Sequence, residues 1–189
     1  MTEVIRAAAQ LQAFCEASGW RYCFIGGLAL LARGEPRETI DADLTLLTGF
    51  GGEESYVREL LRNYEARNQD PVGFALQNRV LLLKSSGGIG LDIALGALPF
   101  EELVVERSTV EPFVEGIKLR VCSAEDLIVM KAFAGRTRDW ADIEQTIAKQ
   151  AGKLDWNHIR LQLGVLTEIR GNPEALTTLE KCRRQFDQE

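Results

Sequence analysis

Two short segments of the chain alternate between apolar residues and polar or small ones. In each segment, the face opposite the apolar one carries aspartate. Asp41 and Asp43 alternate with apolar residues over positions 40–47, and Asp92 lies between small residues on one face of positions 89–95. Because successive side chains of a strand point to opposite faces, both segments predict strands. Their apolar face has to pack against other elements, whereas the carboxylates are expected on an accessible face.

The spacing of these carboxylates predicts a cation site. Asp41 and Asp43 stand about 7 Å apart on one strand face, since each residue of a strand rises about 3.3 Å. If the strand with Asp92 lies beside the first, all three carboxylates converge and repel one another. Hard cations such as Mg2+ take oxygen ligands, and one or two of them at such a site assist phosphoryl or nucleotidyl transfer.

A pair of glycines, Gly26 and Gly27, precedes the acidic segment. They follow a predicted strand at 21–25 and open a predicted helix at 28–33. Glycines at this position allow the backbone to approach a phosphate closely, and the start of a helix favours an anion. The pair alone is a weak signal, and its distance to Asp41 strengthens it.

The remaining pattern predicts a chain of two halves. Apolar periodicity predicts helices at 2–18, 53–67 and 99–105, and strands at 79–84, 89–95, 110–114 and 117–121. Only helices are predicted beyond Ser123, at 123–133, 139–150, 155–168 and 173–188. We therefore expect an α/β (α+β) core over residues 1–121, with a mixed twisted sheet and flanking helices. A helical region over 122–189 is expected to pack on it and to leave a catalytic cleft between the halves.

Composition excludes several classes of function. Lysine and arginine number 22 against 28 aspartates and glutamates, a net charge of −6 that argues against a dedicated nucleic-acid coat protein. His158 is the one histidine, so a histidine-based zinc centre is not expected, and we interpret His158 as structural or exposed. The cysteines form no C-x-x-C pair and no apolar run reaches the ~20 residues of a membrane span. We expect a cytoplasmic protein, with no membrane partner, whose chemistry depends on carboxylates.

Together, Gly26-Gly27, Asp41-Ala42-Asp43 and Asp92 resemble the DNA polymerase β-like nucleotidyltransferase superfamily. The resemblance implies a nucleoside triphosphate as substrate and Mg2+ or Mn2+ as cofactor. It makes the three aspartates metal ligands and catalytic residues, and the two glycines nucleotide-binding residues.

The segment before the first aspartates adds Arg37 and Thr39, which resemble an Arg-x-Thr-x-Asp approach in bacterial members of this superfamily. The resemblance places both residues at the nucleotide-binding rim. Gly27 departs from it, because many members have a serine there whose hydroxyl would contact phosphate.

The helical half resembles the AbiEii-type group, the toxins of type IV toxin–antitoxin systems and their relatives. This likeness rests on Lys131 followed by Arg136 and by Asp139 and Asp142. It implies that Lys131 binds the nucleotide phosphates and that Asp139 and Asp142 position Lys131 or act near the metal. Asp139 is equally a candidate N-cap of its helix.

The acceptor stays open at this point. The AbiEii resemblance implies RNA, in particular a tRNA 3′ end, and a cognate antitoxin as partner. A small antibiotic is an alternative acceptor, because the same motif layout resembles drug-modifying adenylyltransferases. A protein, modified by AMPylation, is a third. A nucleotide-binding regulatory pseudo-enzyme is the alternative without catalysis.

Overall fold

The computed structural model describes residues 1–34, 38–150, 152–171 and 174–186. Its strands are Tyr22–Phe24 (β1), Asp41–Leu47 (β2), Glu65–Ala66 (β3), Val80–Lys84 (β4), Gly90–Gly96 (β5), Thr109–Pro112 (β6) and Lys118–Val121 (β7). Its helices are Thr2–Ala17 (α1), Gly26–Arg33 (α2), Glu53–Leu61 (α3), Pro71–Asn78 (α4), Pro99–Glu106 (α5), Ala124–Ala134 (α6), Thr137–Lys149 (α7), Trp156–Arg170 (α8) and Glu174–Phe186 (α9).

The described strands form one mixed sheet in the order β3-β4-β5-β2-β1-β7-β6. The pairs β2–β5 and β1–β7 are parallel, and the other neighbours are antiparallel. This architecture confirms the predicted α/β class with a mixed sheet and flanking helices. The acidic strand β2 and the strand β5 are neighbours near the centre of the sheet, which is the arrangement that the sequence analysis required.

The predicted inward face of β2 is confirmed with one exception. Ala42, Leu44 and Leu46 are fully buried, as the alternation predicts. Ile40 was expected in the same core but is 75% exposed. It precedes the first residue of β2, so the sheet neighbours that bury the other three side chains end before it.

Two compact units make up the chain. The first unit consists of Met1–Leu28 and Glu38–Cys122 and contains the whole described sheet. The second consists of the described residues within Ala29–Arg37 and Ser123–Glu189, and helices α6 to α9 belong to it. No helix in the described ranges is both long and apolar enough to cross a lipid bilayer.

The segment between β2 and β4 differs from its prediction. The helix expected over 53–67 ends at Leu61, and Glu65–Ala66 forms the edge strand β3 against β4. The helix α4 was not predicted at all. It begins at Pro71, and the carboxylate of Asp70 accepts a hydrogen bond from the backbone N–H of Gly73, a regular N-cap.

Helix α6 lies in the core of the second unit, since Leu127, Ile128 and Val129 are all buried. Ser123 caps it by accepting a hydrogen bond from the backbone N–H of Asp126. The Asp126 carboxylate is fully buried, and His158 Nε2 lies 2.7 Å from it. His158 therefore pairs within the second unit, in accord with the structural role predicted for it.

Candidate active site

The parallel pairing of β2 and β5 brings the three predicted carboxylates onto one face. Asp43 lies directly opposite Asp92 in the register, and Asp41 lies opposite Gly90. Asp41 and Asp43 share a face because they are two residues apart in one strand, and Asp92 shares it through the pairing. All three residues are partly exposed. We refer to Asp41, Asp43 and Asp92 as the carboxylate row.

The start of α2 packs against the carboxylate row so closely that only glycine fits at Gly26. A Cβ atom added there would lie 2.1 Å from Asp43 Oδ2, and the residue has a φ of +55°. Such a φ is costly for any residue with a side chain. Gly26 therefore permits the helix start to touch the carboxylate that the sequence analysis selected.

Gly27 is required by a different neighbour, Thr39. A Cβ atom at position 27 would lie 2.4 Å from Thr39 Oγ1 and 2.8 Å from Thr39 Cβ. The hydroxyl of Thr39 also donates a hydrogen bond to the backbone carbonyl of Asp41, at 3.1 Å. The side chain of Thr39 thus occupies the space that a serine at position 27 would need, which explains the departure noted in the motif.

Arg67 joins this face, and the sequence analysis missed it. Its Nη2 donates a hydrogen bond to Asp92 Oδ1 in an ion pair. Its Nη1 lies 3.3 Å from where a Cβ atom of Gly90 would be, and Asp41 Cβ lies 3.4 Å from the same point. The guanidinium therefore stands over Gly90, beside both ends of the carboxylate row.

The electrostatics of Asp92 reflect these neighbours. Partial burial raises the pKa of the Asp92 carboxyl above its usual value, and the negative charge of Asp41 raises this pKa further. The positive charge of Arg67 opposes both effects. The carboxylates at Asp41 and Asp92 are thus close enough to repel, and Arg67 offsets part of that repulsion.

The donor set of the carboxylate row fits a hard divalent cation. Carboxylate oxygens are the ligands that Mg2+ and Mn2+ take, and a cation relieves the repulsion between Asp41 and Asp92. Within the described ranges, however, no three His, Cys, Asp or Glu side chains already form a metal-holding group. The strand register places the three carboxylates on one face, and Asp92 itself is paired with Arg67.

The predicted residues of the second unit form one buried cluster. Lys131 Nζ donates hydrogen bonds to Asp142 Oδ2 at 2.6 Å and to Asp139 Oδ1 at 3.3 Å. The three residues are only 3–8% exposed. The sequence analysis expected Asp139 and Asp142 to position Lys131, and the structure places both in contact with it.

The alternative role of Asp139 as an N-cap is wrong. The cap of α7 is Arg136, and Asp139 lies three residues further on. Its Oδ2 accepts a hydrogen bond from the backbone N–H of Arg136 at 3.3 Å, so Asp139 still satisfies one free amide of the helix start. Arg37, predicted at the nucleotide-binding rim, lies outside the described residues.

Comparisons with known proteins agree with the fold. A family model described as "Nucleotidyl transferase AbiEii toxin, Type IV TA system" matches residues 11–180. No curated protein sequence matches the chain.

Two solved structures show the same fold. A nucleotidyltransferase-like antigenic protein from Paracoccidioides brasiliensis aligns with a TM-score of 0.54 and 19% identity, over 93% of each chain. ANT(2″)-Ia in complex with adenylyl-2″-tobramycin aligns with a TM-score of 0.57 and 15% identity. That alignment covers 90% of this chain and 99% of the other.

Proposed function

Because the chain belongs to the AbiEii family of nucleotidyl transferases, we propose that it transfers a nucleoside monophosphate from a triphosphate to an acceptor hydroxyl, with Mg2+ as cofactor. The observation that carries this proposal is the register of β2 and β5, with Asp43 opposite Asp92 and Asp41 on the same face. The glycine start of α2 lies against this row, and the first amides of a helix favour an anion such as phosphate.

Asp41, Asp43 and Asp92 are the residues that would hold the cation. When bound, a divalent ion neutralises phosphate charge and polarises the bond to the leaving pyrophosphate. The backbone N–H groups at Gly26 and Gly27 bind phosphate oxygens, since the first amides of a helix lack partners within it.

Asp92 acts as the base in this scheme. The acceptor oxygen forms a bond to the α-phosphorus, the bond from that phosphorus to pyrophosphate breaks, and the acceptor proton passes to an Asp92 carboxylate oxygen. A raised pKa suits this role, because a carboxylate that binds a proton more tightly is a better base at neutral pH. Thr39 supports Asp41 through its hydrogen bond to the Asp41 carbonyl.

In the second unit, Lys131 is the residue that we propose to bind the phosphates of the triphosphate. Its ammonium group is fixed by Asp139 and Asp142, so its position is set before nucleotide arrives. A group held in advance loses little freedom when its ligand binds.

For the acceptor, we propose RNA, in particular a tRNA 3′ end, and a role as the toxin of a toxin–antitoxin pair with a cognate antitoxin. The support is the description of the family, which names a type IV toxin. RNA ends carry the free hydroxyls that nucleotidyl transfer needs. A small antibiotic is the second candidate acceptor, favoured by the Gly-Gly and Asp-x-Asp layout, which drug-modifying adenylyltransferases also show.

Label transfer tests this proposal. Purified full-length protein is incubated with Mg2+ or Mn2+, one α-labelled triphosphate at a time, and total RNA, lysate protein or an antibiotic panel. The variant Asp43→Asn removes the negative charge of one proposed metal ligand. We therefore expect activity to fall at least ~100-fold while the fold is kept. Asp70→Asn is the matched control, because asparagine also caps helices well and Asp70 lies at the start of α4.

Metal-dependent label on RNA, lost in Asp43→Asn and kept in Asp70→Asn, would support the proposal and identify the base. Label on an antibiotic or a protein would replace RNA as the acceptor. Binding of triphosphate without label on any acceptor would favour the regulatory pseudo-enzyme. Near-normal activity of Asp43→Asn would contradict the role of the carboxylate row.

A further inference from the structure

We propose that Arg67 is the internal counter-cation of the carboxylate row, and that a divalent ion binding at Asp92 has to displace its guanidinium. This inference rests on the proposed function, since it assumes that the row takes divalent cations. It adds a residue from outside the sequence motifs to the site, and it makes metal binding a competition between two cations.

The position of Arg67 supports this competition. Its guanidinium contacts Asp92 Oδ1 through one nitrogen, while the other nitrogen stands over Gly90 beside Asp41. A cation held by Asp92 and the other carboxylates would approach the same Asp92 carboxyl group from the same side of the sheet. The two positive charges therefore exclude each other at this carboxylate, both by contact and by repulsion.

The attachment of Arg67 also allows it to leave. Among the described residues, Asp92 is the one partner that the guanidinium has, and the Arg67 side chain is 35% exposed. Its position in the chain is fixed separately by a hydrogen bond from its backbone N–H to the Leu82 carbonyl. The guanidinium can therefore move to water without disturbing β4.

Arg79 shows the contrast within the same unit. Its guanidinium pairs with Glu53 and donates to the backbone carbonyls of Leu95 and Gly49. A side chain tied at three points holds structure together, whereas Arg67 has a single contact with a partly exposed carboxylate. An isolated pair of that kind contributes little to stability, which leaves control of the cation site as its main effect.

Mn2+ binding by the full-length protein tests the inference without any turnover. The fraction of free Mn2+ is measured by its electron paramagnetic resonance signal for the wild type, Arg67→Gln and Arg62→Gln. We expect Arg67→Gln to bind Mn2+ at least about tenfold more tightly, because one competing positive charge is gone. Arg62→Gln removes the same charge from a 73% exposed side chain paired with Glu59, so its affinity should stay within about twofold of wild type.

A second measurement follows the Arg67 side chain directly in the wild-type protein. In nitrogen-15-labelled protein, the Nε–Hε resonance of Arg67, assigned by its absence in Arg67→Lys, should shift towards that of free arginine as Mg2+ is added. An unshifted resonance at saturating Mg2+ would overturn the inference. So would equal Mn2+ affinity in Arg67→Gln and the wild type.

The failure of the proposed function gives a different result. If the wild type and Arg67→Gln bind no Mn2+, or if Asp43→Asn binds it as tightly as wild type, the carboxylate row is not a cation site. If Asp43→Asn weakens binding but Arg67→Gln leaves it unchanged, the cation site stands and only the role of Arg67 falls.

Discussion

The two charged clusters of this protein use similar residues in opposite ways. The carboxylate row of the first unit has three partly exposed carboxylates and one arginine that is bound by a single contact. The cluster of the second unit has two carboxylates and one lysine, all three buried, and the lysine donates a hydrogen bond to each carboxylate. The first is partly exposed to solvent, whereas the second is buried.

This difference separates carboxylates that can exchange partners from charged groups that are held in place by buried hydrogen bonds. A buried charge has to be paired, and loss of its partner is costly because water cannot replace it. A partly exposed carboxylate can exchange partners at low cost. Stability measurements on the two clusters should therefore diverge. One substitution in each cluster tests that divergence and a third tests the packing beside the carboxylate row, in order of expected effect.

Lys131→Met should have the largest effect. It leaves Asp139 and Asp142 buried without their common cation, which we expect to lower the free energy of unfolding by about 3–5 kcal/mol. Urea unfolding at neutral pH measures it. Lys149→Met is the control, since Lys149 is exposed at the end of α7 and its loss should change stability by less than about 0.5 kcal/mol. Equal effects of the two variants would contradict the comparison.

Gly27→Ser should have an intermediate effect, although it restores a residue type common in this motif. The new side chain meets Thr39 at 2.4 Å, and we expect a loss of about 1–3 kcal/mol from overpacking. Thermal unfolding checks it. Gly164→Ser lies inside α8 with nothing within 4 Å of the added atom, so it should be neutral or slightly stabilising. A Gly27→Ser variant as stable as Gly164→Ser would show that the Thr39 side chain moves aside to make room for the serine.

Asp92→Asn should have the smallest effect and the opposite sign. The raised pKa of Asp92 means that the folded state disfavours the carboxylate more than the unfolded state does, despite Arg67. The resulting cost is absent below the unfolded-state pKa and complete above the raised one. In EDTA at pH 7 we expect a gain of under about 1 kcal/mol, which disappears as the pH falls below about 4. A loss of stability at pH 7 would show that the pair with Arg67 dominates.

Much of the fold was predictable because it depends on local patterns. The alternation around Asp41 and Asp43 identified β2, and helices α7 to α9 follow regular apolar spacing. The segment 53–67 was predicted wrongly since Tyr64 continues the helical spacing of α3, and only pairing with β4 makes Glu65–Ala66 a strand. Helix α4 had a usable signal in Asp70-Pro71, a cap followed by proline at the first helical position.

The candidate site was predictable in its acids and not in its packing. The spacing of Asp41 and Asp43 places them on one face of any strand, and Asp92 could be selected because small residues flank it. Arg67 could not be selected, because its contact with Asp92 spans 25 residues and depends on how β3, β4 and β5 line up. The contact between Gly27 and Thr39 is likewise a matter of tertiary packing that spacing does not reveal.

The parallel pairing of β2 and β5 has a consequence for folding during synthesis. The chain leaves β2 at Leu47 and passes through α3, β3, α4 and β4 before β5 brings Asp92 beside Asp43. Contacts between residues so distant in the chain form slowly, because the intervening segment has to lose its freedom first. During synthesis the third carboxylate joins the other two only after the ribosome has released β5. The three carboxylates of the row therefore come together only once most of the first unit has assembled.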